Sequence, residues 1–137
     1  MTTPLDTTFL KVISGELPSH KIYEDEYTYA FLANRPVSAG HTLVVPKVHS
    51  ENIYDTTPEN LAYIFNTISK VAKHLKEILN CDGMNVSQNN EIAGGQAVFH
   101  IHFHLIPRYQ DDNLELFPEN IKLIQGLYEV QQKIKMY

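Results

Sequence analysis

The chain has 137 residues, seven of them histidine, and eleven Lys and Arg against sixteen Asp and Glu give a net charge of -5. This length suits about one domain that buries its own core without disulfide or metal staples. The acidic balance argues against a general nucleic-acid binder, whose affinity rests on many Lys and Arg contacts to phosphate, and the single Cys81 excludes both an internal disulfide and a CxxC zinc pair.

The opening residues Met1 to Asp6 lack the basic head and apolar run of a signal peptide, and no stretch reaches the ~20 apolar residues of a membrane span. A cytoplasmic protein without a membrane partner is expected. Thr7 or Thr8 caps a short helix through Phe9, Val12 and Ile13, which Gly15 stops. Lys21 to Tyr23 and Tyr27 to Leu32 read as strands joined by a turn at Glu24-Asp25-Glu26. Asn34 to Gly40 is a loop. Thr42 to Val45, stopped by Pro46, is a strand buried on both faces. Thr57-Pro58-Glu59 opens a helix, and apolar residues from Leu61 to Leu79 in steps of three and four carry it for about 22 residues until Asn80 and Gly83 close it. Met84 to Gln88 is a strand, Glu91 to Gly95 a glycine-bearing loop, and Phe99 to Ile106 the last strand, ended by Pro107. Asp111-Asp112-Asn113 marks a change of composition, and Pro118 onward has a helical pattern. The whole of 1–137 reads as one α+β domain with a mostly antiparallel sheet, divided into a body (1–110) and a helical tail (111–137).

The informative stretch is His100-Ile101-His102-Phe103-His104-Leu105-Ile106-Pro107-Arg108. Side chains alternate along a strand, so the three histidines share one face, about 6.5–7 Å apart, while Ile101, Phe103 and Leu105 point to a core. Imidazole is a common metal ligand, but three residues spread over ~13 Å of flat strand do not converge on one tetrahedral ion. Two of them with His41 would, which keeps a metal reading beside a solvated row and a metal-free catalytic row. The last is preferred. A neutral imidazole is a nucleophile toward phosphorus, a protonated neighbour is an acid, and a rigid strand fixes both. Close histidines oppose each other's protonation, so one neutral and one charged ring are expected near neutral pH.

These residues resemble the histidine triad (HIT) nucleotide hydrolases and transferases. HIHFHLIPR fits their alternating histidine motif, and the order of Phe9 to Ser19, Ala30-Phe31-Leu32 with Pro36, Gly40 to Lys47 with His49, and Asn89, Gly95 and Gln96 before the motif makes the likeness specific. The resemblance implies a five-stranded antiparallel sheet, joined into ten strands in a two-fold homodimer to which the long helix contributes. It implies attack on the α-phosphorus of a nucleoside monophosphate derivative, by a Hint-like hydrolase that needs no metal or other cofactor. His102 would be the nucleophile, His100 its orienting neighbour, His104 the group beside the leaving atom, and His41 a lining residue of the phosphate site. Asn89 and Gln96 would bind phosphate or leaving group, with backbone N–H groups from Gly95 through Ala97 to Val98 and at His102 holding phosphoryl oxygens. Ile22, Phe31 and Leu32 would form a base pocket, for purine in preference to pyrimidine. Some positions depart from the pattern. Thr7 and Leu10 stand where many members carry a zinc-binding CxxC, Ala97 where some carry a hydroxyl, and Ala33 where most carry a ribose-binding acid, leaving Asn34 as a partial replacement. Ala33 also motivates an alternative: a nucleotide-binding adaptor with vestigial catalysis.

Overall fold

Thr57, in extended conformation, accepts a hydrogen bond from the Asn60 N–H, and Pro58 follows at the first helical position. These signals start the long helix that covers one face of the sheet. The computed structural model describes residues 5–137; the reading of Met1 to Pro4 lies outside them. In chain order they form α1 (Thr8–Ser14), β1 (Lys21–Glu24), β2 (Thr28–Leu32), β3 (Thr42–Pro46), α2 (Pro58–Leu79), β4 (Gly83–Gln88), β5 (Phe103–Arg108) and α3 (Leu127–Ile134), with 3-10 turns at Ile92–Gly94 and Ile121–Gly126. The five strands make one sheet in the order β1-β2-β3-β5-β4, every neighbour antiparallel. The architecture is α+β, as expected.

Alternation along the strands divides the core in two. Ala30, Val44, Phe103 and Leu105 point to one face, where Ile64, Ile68, Val71 and Leu75 of α2 cover them. Tyr29, Phe31, Leu43 and Val45 point to the other, against Phe9 and Val12 of α1. Apart from Ala30, each of these side chains contributes about 2 kcal/mol of burial before the entropy of ordering it is counted. All five residues of β3 are buried, because it is central and covered on both faces. No helix among the described residues is long and apolar enough to cross a membrane.

Four local expectations change. Thr7 stands at the N-cap of α1 as expected but makes no side-chain cap; the Asp6 carboxylate accepts from the Thr8 N–H and hydroxyl instead. The last strand begins at Phe103 rather than Phe99 and runs through Pro107 to Arg108. Residues 99–102 are pinned one by one instead, Phe99 N–H to the Asp6 carboxylate and Ile101 N–H to the Ser50 carbonyl. Pro107 lies opposite Met84 and beyond the last β3 pair, Thr42↔Leu105, where the ladder is one-sided and tolerates a missing donor. The tail is helical only in part: the 3-10 turn at Ile121–Gly126 precedes an eight-residue α3, and its apolar side chains, among them Ile124, Leu127 and Ile134, are exposed.

Candidate active site

The face of the sheet that carries Phe31 and Leu43 also carries the histidines. His104 pairs with Leu43 across β3–β5, and Leu43 with Phe31 across β2–β3. The ring centroids of His102 and His104 are 5.1 Å apart, closer than residues two apart on a flat strand, because the chain is irregular before Phe103. The Phe9 ring packs edge-on against both His100 and His102, at centroid distances of 5.8 and 5.0 Å. Helix α1 therefore closes one side of the row.

Hydrogen bonds set the tautomer of each ring. His102 Nδ1 lies 2.8 Å from the His100 carbonyl oxygen, so Nδ1 carries the proton and Nε2 keeps its lone pair. His100 Nε2 is 2.8 Å from the Pro46 carbonyl and must donate there. Its Nδ1 is then an acceptor, and His49 Nδ1 donates to it at 3.1 Å. On the other side, the Val37 N–H donates to His41 Nδ1 at 3.0 Å. His41 Nε2 therefore holds a proton and donates it to His104 Nδ1 at 2.9 Å. That leaves the proton of His104 on Nε2, and this nitrogen is buried without a partner among the described residues. A buried orphan donor costs about 1–3 kcal/mol, a cost that a ligand acceptor removes. The site thus holds a bare imidazole nitrogen on His102 beside an unpartnered N–H on His104.

Burial is the largest effect on all four ionisations. It pushes His100 and His104 down to about 4, and His41 and His102 below the ordinary histidine value. The expected mixture of one neutral and one charged ring is not found: at neutral pH the row is uncharged, because desolvation outweighs the carbonyl acceptors at His100 and His102. Among the described residues no three His, Cys, Asp or Glu side chains are grouped to hold a metal ion. His41, His100 and His102, the set considered for a metal, turn their bonded nitrogens to separate partners.

Next to the row lies a cavity of about 460 Å³ lined by Phe9, Val12, Leu17, Phe31, Leu32, Asn34, Leu43 and Val98, with Thr8, Ser19 and His20. Of the residues expected to contact base and sugar, Phe31, Leu32 and Asn34 line this cavity. Ile22 does not. The register of β1 against β2 shifts between Lys21 and Tyr23, and this bulge turns Ile22 to a different hollow with Tyr23, Lys70, Val71 and His74. Phe9, Val12 and Leu17 were missed as pocket residues. Their spacing shows only an apolar helix face, and the cavity arises where that face meets β2 and β3.

The loop before the motif also differs in detail from its expected use. Asn89 reaches across to the Gly95 carbonyl at 3.5 Å, and Gly95 adopts φ +89°, which favours glycine. Gln96 is buried with its side chain committed to protein groups, donating to the Glu51 and Val98 carbonyls and accepting from Glu91 N–H. It braces the loop rather than offering its amide to a ligand. The N–H groups of Gly94, Gly95 and Gln96 close turns on Glu91 and Ile92, so of the expected phosphate donors those of Ala97, Val98 and His102 remain among the described residues.

The HIT domain model matches residues 14–111. The chain belongs to the HIT family. It is 46% identical over 101 residues to Protein hit of Bacillus subtilis, covering 74% of this chain and 70% of that one. It is 41% identical over 100 residues to adenosine 5'-monophosphoramidase HNT1 of Saccharomyces cerevisiae, covering 73% of this chain and 61% of that one. Among solved structures, a HIT family protein from Bacillus anthracis superposes with a TM-score of 0.82 at 38% identity, over 92% of each chain.

Proposed function

We propose that this HIT protein hydrolyses nucleoside monophosphate derivatives at the α-phosphorus through a nucleotidyl intermediate on His102 Nε2. The observation that carries the reading is the pair of opposed tautomers: a lone pair held on His102 by the His100 carbonyl, and a proton held on the orphaned His104 Nε2 by the chain from Val37 through His41. The similarity to a yeast protein named adenosine 5'-monophosphoramidase supports the reaction class.

The step follows from those positions. His102 Nε2 attacks phosphorus, and the bond to the leaving group breaks with the electron pair going to that group. His104 Nε2–H donates to the leaving atom. The bound phosphate's negative charge favours a protonated imidazole against the effect of burial, so the His41–His104 pair takes up one proton from solvent as substrate binds, and giving the His104 Nε2 proton to the leaving atom returns the pair to neutral. Water then attacks phosphorus, the P–N bond breaks with its electron pair returning to His102 Nε2, and the water's proton passes to the His41–His104 pair. In this reading the N–H groups at Ala97, Val98 and His102 hold phosphoryl oxygens. A purine fills the apolar cavity beside Phe9, Phe31 and Leu43. Two copies associate about a two-fold axis, with α2, on which Phe65 and Ile78 are partly exposed, contributing to the contact; sedimentation equilibrium tests the association.

The test of the chemistry is turnover of adenosine 5'-phosphoramidate by the wild type and His102→Ala, with mass spectrometry of acid-quenched protein. The wild type is expected to turn over and to carry one adenylyl group; the variant is expected to do neither while keeping its circular dichroism. Normal turnover by a folded His102→Ala would overturn the nucleophile assignment. Tight binding of AMP without turnover by the wild type would favour the adaptor reading, which the lack of a carboxylate at Ala33 supports.

A further inference from the structure

We infer that His20 is a specificity residue that reads the far edge of the bound base, an inference that rests on the proposed use of the cavity for a nucleoside. Nothing in the sequence pattern marks His20, which stands alone on a short connection and reads as a surface residue. The structure places it on the wall of the 460 Å³ cavity that Phe9 and Phe31 also line. Its backbone is fixed, since its carbonyl accepts the Leu32 N–H at 3.0 Å.

Two observations separate His20 from the other polar residues of that wall. The Ser19 hydroxyl is bonded to Tyr29, and the Thr8 hydroxyl to Asp6. No side-chain hydrogen bond ties down the His20 ring among the described residues, so it presents both nitrogens to whatever enters. The second observation is position. The cross-strand row His104↔Leu43↔Phe31↔Lys21 spans three strand spacings, about 14 Å, from the imidazole row to the residue next to His20. A group bound at phosphorus beside His102 and His104 therefore has its phosphate at one end of the cavity and His20 at the other. The walls between are apolar and suit the faces of an aromatic base.

A neutral imidazole offers one donor and one acceptor and can exchange them between its nitrogens. Those two nitrogens diverge across the ring, so one of them at a time meets the outer edge of adenine, where its lone pair accepts from the exocyclic amine. With no Asp or Glu on the cavity wall, His20 and Asn34 are the polar side chains there that make no side-chain hydrogen bond among the described residues.

The experiment compares the 5'-phosphoramidates of adenosine and of purine riboside, which lacks the exocyclic amine, in the wild type, His20→Ala and His20→Asn. Losing one hydrogen bond to the base is expected to raise KM for the adenosine substrate about five- to tenfold in His20→Ala. The effect should fall on KM rather than kcat, and the preference for adenosine over purine riboside should disappear. His20→Asn, which keeps a donor and an acceptor, should restore part of both. Equal KM values for wild type and His20→Ala, or an unchanged preference between the two substrates, would overturn the inference. That outcome with an inactive His102→Ala leaves the reaction assignment standing, whereas an active His102→Ala removes the assignment itself.

Discussion

Acidifying this protein should remove stability between about pH 6.5 and pH 4, and the size of the loss follows from two rings. His100 and His104 are pushed down to about 4 by burial, while an unfolded-chain histidine titrates near 6.5. Across that interval the unfolded state binds more protons than the folded one, so stability is complete above about pH 6.5, falls as pH drops, and levels off below about 4. A gap of roughly 2.5 units at 1.36 kcal/mol per unit is about 3 kcal/mol for either ring. Both rings neighbour His102, so their losses overlap and the total is about 4–5 kcal/mol, a large part of the stability of an ordinary domain. Carboxylates held below their usual range by backbone and side-chain hydrogen bonds despite burial, Asp6, Asp25 and Asp55, weaken the fold only below about pH 4, in a separate window. Urea unfolding followed by circular dichroism reads the effect directly. With a slope of about 2 kcal/mol per molar, the midpoint should fall by roughly 2 M from neutral pH to about pH 4.2. His104→Gln should flatten the pH dependence by about half. A wild-type midpoint that is constant or rises as the pH is lowered through this interval would refute the argument that the row is buried and neutral.

Gly40 has φ +92°, and a Cβ there would overlap the Leu79 side chain and lie 3.2 Å from Pro107 Cγ. Gly40→Ala is expected to cost about 2–4 kcal/mol in chemical unfolding, from backbone strain and overpacking together; a cost below about 1 kcal/mol would show that Leu79 moves aside freely. His41→Phe removes the acceptor of the Val37 N–H and the donor that fixes the His104 tautomer. Its kcat for adenosine 5'-phosphoramidate should drop about 10²-fold or more, and an unchanged kcat would remove His104 from the proton path. The acid limb of the kcat/KM profile should lie below the ordinary histidine range, since burial lowers His102 and the nucleophile must be neutral. A limb above about pH 6.5 would contradict that placement.

Much of this protein was legible in its sequence because the relevant physics is local. The 3.6-residue period and the Thr57-Pro58 start fixed α2 to its observed ends, and Gly15 stops α1 in the left-handed conformation. The alternation in HIHFHLI placed Phe103 and Leu105 in the core and the imidazoles on the opposite face. Tertiary structure alone decided the rest. Asp6 reaches Phe99 across 93 positions, Ser50 captures Ile101, and a bulge in β1 moves Ile22 out of the pocket, none of which leaves a mark in local spacing. Ring tautomers depend on carbonyls and N–H groups that only folding brings near, at Pro46, Val37 and His100. The charge state of the row depends on water excluded by α1 and the sheet together. A sequence names the imidazoles; the packing around them determines which nitrogen holds a proton and which holds a lone pair.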